Sequence, residues 1–441
     1  MTIVTDQRIG KTSAQRALVG SPHSPEIEVL LACARGRMTR EACSRISSVL
    51  GPDLDWTLLL QQAHRHSVMP LVRQNLLSHF RAEVPDSVRQ SLGTACRFSQ
   101  QRSLALTAEL IHVLELLKSV GVVAIPFKGP ALAMAAYGST ALRSFADLDI
   151  LVRESAVSES RTLLSANGYL PSFTLTRTED KAYLKEECAI QFRHPGRNIV
   201  IELHWRLTER YLSIDLPTEF LLNNCHTTTL AGRPILSFSL EDLLLYLCIH
   251  AGKHKWERLE WLSSIAAVIE SNPDLPWPAL AKRALSCGVD RIVKVTLLLT
   301  NELLHTPLPA PYRSAACDRA ARTIANEVIS TLFVVRDSVL RDRGNWYFFL
   351  VRSRERWSDK ARIIAFSALR IPYPEAGRAA VLPPQWAFLH YALRPARLLH
   401  SAVLLGWRRW TSGRKRRATN SGLPASAMRP SQPPSHAKVL P

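Results

Sequence analysis

The sequence predicts an α+β fold in which helical domains at both ends flank a small mixed-sheet core. Apolar residues recur at spacings of three and four before residue 120 and again after residue 240, as in amphipathic helices. Between these regions, short β-branched apolar runs alternate with Gly, Pro and Asn turns, as in buried strands. A chain of 441 residues with 46% hydrophobic and 21% charged residues excludes a wholly disordered protein and allows two or three domains.

The N-terminal part is predicted to be a flexible leader followed by helices. Residues 1–24 are polar and lack the apolar core of a signal peptide. Residues 25–120 form the N-terminal helical region. Within it, Asp55–Phe80 and Leu104–Val120 show helical spacing, and Asp55 precedes its run as a helix cap would.

Residues 121–235 are predicted to form the α/β core. Helical patterns cover Ala131–Tyr137 and Glu154–Ala166. The predicted strands are Val122–Phe127, Leu148–Val152, Cys188–Phe192 and Ile199–Leu203. The turn residues between them place these elements close together in one compact unit.

The C-terminal part is predicted to contain a helical domain, a linker, a helix and a tail. These cover residues 236–370, 371–384, 385–410 and 411–441, in that order. The linker is rich in proline, the helix is basic and amphipathic, and the tail is basic and of disordered composition. Two interpretations of the helix stay open: it covers the protein's own core, or residues 385–417 lie on an anionic membrane surface.

The positive charge is unevenly distributed along the chain. The 56 Lys and Arg residues against 37 Asp and Glu give a net charge of +19, but 11 of the cations and no acidic residue follow Glu375. Residues 1–375 therefore carry only +8, so no specific nucleic-acid partner is expected, although a nonspecific polyanion contact of the tail stays open. The eight cysteines form no C-x-x-C pair, and no apolar run is long enough to span a membrane. We therefore expect a cytoplasmic protein, with contact at the inner membrane face as the alternative.

Three carboxylates are the candidate catalytic residues. Asp147 and Asp149 are two residues apart at the start of a predicted strand, so both side chains face the same side. Adjacent carboxylates repel unless a cation lies between them, and Mg²⁺ prefers oxygen ligands. Glu202, on a neighbouring predicted strand, would complete a site for two ions.

A second motif suits phosphate binding. Lys128 and Gly129 stand where a predicted strand ends and a helix begins. A helix N-terminus presents free N–H groups to an anion, and glycine lets the backbone approach it closely. Lys128 and Arg143 would add positive charge.

Together these motifs resemble polymerase-β-type nucleotidyltransferases, and among them the bacterial uncharacterised nucleotidyltransferase family. The similarity covers about residues 25–400. The matching motifs are K-G-P-A-L from Lys128, Y-G from Tyr137, Arg143, D-L-D-I-L-V from Asp147, E-L-H-W from Glu202, and the helical segment from His250 to Leu262.

The resemblance implies a Mg²⁺-dependent, ATP-binding nucleotidyltransferase. Such an enzyme transfers a nucleoside monophosphate from an NTP to a hydroxyl of a small molecule, sugar or protein, and a link to surface polysaccharide biosynthesis is implied as well. The three carboxylates would hold two ions, with Glu202 assisting deprotonation of the acceptor. Lys128, Gly129 and Arg143 would bind the nucleotide. The alternative is an inactive scaffold of the same fold that binds a partner or a membrane.

Three histidines have no single predicted role. His204 shares a strand face with Glu202, so it either supports that carboxylate or touches substrate. His250 and His254 share one helix face but lack the H-E-x-x-H pattern of a metal site. They are expected to contact a partner domain or to line the nucleotide or acceptor cleft.

Overall fold

The computed structural model describes residues 24–174, 177–334 and 343–369. The predicted leader, except its last residue, and the predicted linker, basic helix and tail lie outside the described residues. Among the described residues, 24–174, 177–334 and 347–364 belong to one compact unit, and 343–346 and 365–369 belong to another.

Five helices form the described N-terminal part, from residue 25 to residue 119. They are α1 Pro25–Cys33, α2 Arg40–Val49, α3 Trp56–Arg65, α4 Met69–His79 and α5 Asp86–Ser119. Asp55 caps α3, and its Oδ1 accepts a hydrogen bond of 3.0 Å from the Leu58 N–H. The segment expected to be helical over Asp55–Phe80 is two helices, which separate near Ser67, whose φ is +58°. A left-handed residue cannot continue a right-handed helix, so the chain turns there.

A small mixed sheet follows α5. Its elements, with the helices between them, are β1 Ala124–Pro126, α6 Gly129–Tyr137, β2 Leu148–Val152, α7 Val157–Ala166, β3 Leu170–Pro171, α8 Arg177–Glu186, β4 Ala189–His194 and β5 Ile199–His204. The strand order is β1-β2-β5-β4-β3, with β2 and β5 parallel and all other neighbours antiparallel. The α+β prediction is confirmed.

The two faces of this sheet pack into different hydrophobic clusters. On one face, Leu148, Ile150 and Leu203 join buried residues of α5 and α7, a cluster we call the sheet core. On the other face, Leu151 joins the larger cluster of the N-terminal and C-terminal helices, the helical core. The alternation of side chains along each strand produces this division.

The C-terminal part begins with a short helix and a hairpin and continues as helices. The elements are α9 Thr218–Asn223, β6 His226–Leu230, β7 Arg233–Ser237, α10 Leu240–Lys253, α11 Leu259–Ser271, α12 Trp277–Ser286, α13 Asp290–Leu304, α14 Arg319–Leu332, α15 Arg343–Arg352 and α16 Trp357–Leu369. Helix α11 packs against α6, α10 and α13, so it connects the sheet to the helical core. No helix in the described part of the chain is both long and apolar enough to cross a membrane.

Candidate functional site

The candidate site lies on the face of β2 and β5 that is directed to the helical core. The parallel register sets Asp149 directly opposite Glu202 and Leu151 opposite His204. Within the described residues, Asp149, Glu202 and His204 form a group whose ligand atoms all lie within 4.8 Å of one another. The sheet thus brings together two of the three predicted carboxylates.

Asp149 is the most deeply buried of the predicted carboxylates. Its Oδ1 is 2.6 Å from Lys128 Nζ and 3.3 Å from His204 Nε2. Burial favours the neutral acid, but these two cationic partners outweigh burial and hold the pKa of Asp149 well below its usual value. Its Oδ2 is buried and has no hydrogen-bond partner among the described residues. One oxygen of this ionised carboxylate is therefore free to bind a further group.

His204 connects the two carboxylates. Its Nε2 is 3.4 Å from Glu202 Oε2 as well as 3.3 Å from Asp149. Burial disfavours the imidazolium, yet the neighbouring Asp149, Cys188 and Glu202 raise the pKa of His204 well above its usual value. His204 in turn lowers the pKa of Glu202. The His204 ring thus lies at ion-pair distance from both carboxylates, and its predicted supporting role stays a prediction.

Asp147 lies just before β2 and is half-buried. Burial, together with the negative charges of Asp149 and Glu202, raises its pKa to about 6. Asp147 precedes Leu148, the first residue of β2, and is two residues from Asp149. Its oxygens, however, are not part of the 4.8 Å group found among the described residues.

Lys128 and Gly129 stand at the start of α6, beside these carboxylates. Gly129 has a φ of +54°, and a Cβ added there would lie 3.2 Å from the Asp147 carbonyl oxygen, so the position favours glycine. No side chain caps the N-terminus of α6. Burial opposes the charged form of Lys128, but Asp149 raises the pKa of Lys128 well above its usual value. A permanent cation and uncapped helix N–H groups therefore lie next to the carboxylates.

Arg143 is committed to a buried ion pair. Its Nη2 is 2.5 Å from Glu260 Oε1 on α11, and both side chains are less than one tenth exposed. The positive charge of Arg143 also acts on Asp147 and lowers its pKa, although burial and the neighbouring carboxylates outweigh this effect. Arg143 thus ties the loop before β2 to α11, and its predicted contact with the nucleotide stays a prediction.

A family model described as uncharacterised nucleotidyltransferase matches residues 52–305, which include every element of the site. The chain belongs to this nucleotidyltransferase family. No curated protein and no solved structure is similar enough to the chain to count as a match. The match, which covers more than half of the chain, makes the protein a nucleotidyltransferase and identifies its general activity as nucleotidyl transfer.

In this nucleotidyltransferase, the two other histidines lie in a cluster of rings on α10 and α11. The His250 and His254 ring centroids are 4.8 Å apart, and both rings contact Trp261, at 5.5 and 5.2 Å. Trp205 and Trp256 are fully buried, whereas Trp261 is only partly buried.

The sequence interpretation missed two aromatic residues that connect this cluster to the carboxylates. The Phe127 ring lies 5.0 Å from both the His204 and the Tyr246 rings. Tyr246 lies one helical turn before His250, at 5.8 Å. That i, i+4 spacing was visible in the sequence and placed Tyr246 on the histidine face of the helix.

Proposed function

We propose that the nucleotidyltransferase transfers a nucleoside monophosphate from an NTP, with ATP as the working substrate, to a hydroxyl of its acceptor in a Mg²⁺-dependent reaction. The observation that carries this proposal is the pairing of Asp149 with Glu202 across parallel strands, beside Lys128 and the start of α6. Acidic groups for a cation and basic groups for phosphate are thereby adjacent, which suits a metal-bound triphosphate.

The carboxylates fit a hard divalent cation. Asp149 has a buried oxygen with no hydrogen-bond partner among the described residues, and Glu202 and Asp147 supply further oxygen donors nearby. We propose that these three carboxylates hold Mg²⁺, with two ions as in the predicted site. When bound, Mg²⁺ would neutralise the phosphate oxygens and polarise the α-phosphorus as a Lewis acid.

The remaining chemistry comes from the protein's own side chains. Lys128 and the N–H groups of α6 bind and orient the phosphates, because both present positive charge on the carboxylate side. Glu202, whose pKa is lowered, is ionised and accepts the proton of the acceptor hydroxyl. The acceptor oxygen bonds to the α-phosphorus, the bond from that phosphorus to the bridging oxygen breaks, and pyrophosphate leaves with the electron pair.

The acceptor is proposed as a hydroxyl-bearing small molecule, sugar or protein, with surface polysaccharide biosynthesis as the context. The charged face of the sheet is directed to the helical core, which residues of the N-terminal and C-terminal helices form, and in this proposal those helices shape the acceptor pocket. A cytoplasmic location, with residues 385–417 on the inner membrane face, completes the proposal; these residues lie outside the described part of the chain.

The variant Asp149→Asn tests the proposal. It keeps the size of the side chain but removes the charge that pairs with Lys128 and would bind the metal, so we expect pyrophosphate release from NTPs to fall at least about a thousandfold. Release is measured with each NTP in the presence of Mg²⁺, and again with a chelator, which should abolish it. Circular dichroism checks that the variant is folded.

Asp180→Asn on α8 is the matched control, because Asp180 pairs with Arg161 and is not one of the candidate site residues. It should retain wild-type turnover. If folded Asp149→Asn turns over NTP at the wild-type rate, the assignment of the site is wrong and the scaffold alternative is favoured.

A further inference from the structure

Four rings on α10, α11 and the turn between them form a continuous surface that we call the ring wall: Tyr246, His250, His254 and Trp261. Neighbouring ring centroids along it are 4.8 to 5.8 Å apart. Such spacing is typical of aromatic contacts. A surface made of rings can bind a further planar ring by stacking on it or by edge-to-face contact.

The ring wall begins at the phosphate side of the site. Lys128 Nζ, which contacts Asp149, lies 5.9 Å from the centre of the Tyr246 ring. From Tyr246 the wall continues to His250 and then to Trp261. A molecule bound at Lys128 is therefore adjacent to the ring wall.

The outer part of the ring wall is open to a ligand. Tyr246 is only 2% exposed, whereas His250, His254 and Trp261 are all partly exposed. The His250 ring contacts other rings and makes no hydrogen bond within the described residues. Burial and the positive charges of Lys128 and His254 lower the pKa of His250 well below its usual value. His250 thus offers a neutral imidazole with unused hydrogen-bonding nitrogens.

A strained turn lies between His254 and Trp261 of the ring wall. Lys255 and Trp256, between α10 and α11, have φ values of +55° and +50°, which is costly for residues with side chains. Trp256 is fully buried, and its Nε1 donates to Thr296 Oγ1 at 2.9 Å. A Cβ at Gly252 would lie 2.8 Å from Ile292 and 3.4 Å from Trp256, so glycine makes room for this packing. Backbone strain retained next to a catalytic site is commonly functional, because the strained geometry sets the position of a working group.

We propose that the ring wall binds the nucleobase of the NTP, with the base against Trp261 and His250. This inference rests on the proposed function, because it assumes that the phosphates lie at Lys128. Base–aromatic stacking suits any base, and the His250 nitrogens add a hydrogen-bonding edge that can select among bases.

The test compares two probes that differ only in the base. Isothermal titration calorimetry measures the Kd of ATP and of ribose 5-triphosphate, each with Mg²⁺. We expect the wild type to bind ATP about tenfold more tightly or better. Trp261→Leu should bring the ratio of the two Kd values close to one while leaving the Kd of ribose 5-triphosphate unchanged. Trp261→Phe should restore most of the preference for ATP.

His250→Ala provides the same comparison if Trp261→Leu does not fold. The matched control is Trp277→Leu on α12, a partly exposed tryptophan that contacts Tyr312 rather than the ring wall and should keep the wild-type ratio. Equal wild-type affinities for the two probes, or an unchanged ratio in folded Trp261→Leu and His250→Ala, would overturn the base site alone. Failure of the wild type to bind either probe would overturn the proposed function and the base site with it.

Discussion

The two faces of the β2–β5 pair carry opposite chemistry on adjacent residues. Ile150 and Leu203 face the sheet core and are fully buried among apolar side chains. Asp149, Glu202 and His204 face the helical core and bring charges within hydrogen-bonding distance. The apolar face supplies the free energy that holds the strands, so the charged face can retain carboxylates that repel one another. Stability and activity should therefore respond to different residues of the same two strands.

The largest effect is expected from a polar substitution on the apolar face. Ile150→Asn removes a fully buried side chain and introduces an amide without partners, so the free energy of unfolding should fall by about 4 kcal/mol or more. Urea unfolding followed by circular dichroism measures it. Ile150→Val, which removes one methylene, should cost only about 1 kcal/mol.

A substitution on the charged face of the same strand pair should have a much smaller effect on the free energy of unfolding. Glu202→Gln, on the neighbouring strand, should change the unfolding free energy by less than about 1 kcal/mol, because its ion pair with His204 is partly exposed. A loss in Glu202→Gln as large as that in Ile150→Asn would show that the two faces do not divide stability and activity in this way.

The helical core should be the acid-sensitive part of the molecule. It surrounds His66, which is fully buried and whose Nδ1 accepts a hydrogen bond from the Leu259 N–H at 3.2 Å. Burial, then the positive charges of Arg65 and Arg258, lower the pKa of His66 from 6.5 to about 3. Between these two pH values the unfolded chain binds a proton at this position that the folded protein does not. The His66 contribution to stability therefore falls by about 1.4 kcal/mol for each pH unit below 6.5.

Urea unfolding at pH 7, 6 and 5 measures this dependence. His66→Gln should be less stable at pH 7 but should lose less stability on acidification. His226→Gln, at an exposed strand position, is the matched control and should follow the wild-type slope. Parallel slopes for all three proteins would contradict the prediction.

A smaller effect on stability is expected at Gly129, the first residue of α6. Gly129→Ala places a side chain at a φ of +54° and 3.2 Å from the Asp147 carbonyl oxygen, which should cost about 1–2 kcal/mol. Gly93→Ala is the contrasting variant, because a Cβ there meets nothing within 4 Å inside α5. It should raise the unfolding free energy by up to about 1 kcal/mol. Thermal unfolding of both variants measures the difference, and a gain in both would show that Gly129 is not constrained.

The regular elements with strong apolar patterns could be read from the sequence. β2 and β5 are confirmed almost residue for residue, because buried strands are continuous apolar runs. The hairpin of β6 and β7 was missed, because β6 is the polar run His226–Leu230, whose first four residues are exposed. Residues 25–120 were predicted to be helical, but the N-terminal half of α5 was not singled out as a helix, since an apolar side chain such as Phe98 points to solvent there and blurs the helical period.

At the site, the sequence supplied the residues but not their pairings. The sequence predicted that Lys128 stands at a helix start and binds phosphate. The structure shows in addition that Lys128 contacts Asp149. The sequence left open whether His204 supports Glu202 or touches substrate. The structure places its ring at ion-pair distance from both Asp149 and Glu202. The direction of a long side chain depends on partners far away in the chain, which local spacing does not reveal.

The sequence by itself determined the fold class and the two strands, and it proposed the three candidate carboxylates, because side-chain periodicity and residue chemistry are local properties. The tertiary structure alone decided the parallel register that sets Asp149 opposite Glu202, the ion pair of Arg143 with Glu260, and the ring wall beside Lys128. These features join residues 53 to 118 positions apart in the sequence. The pairing of β2 with β5 creates the first of them, and the placement of α10 and α11 beside Lys128 and Arg143 creates the other two.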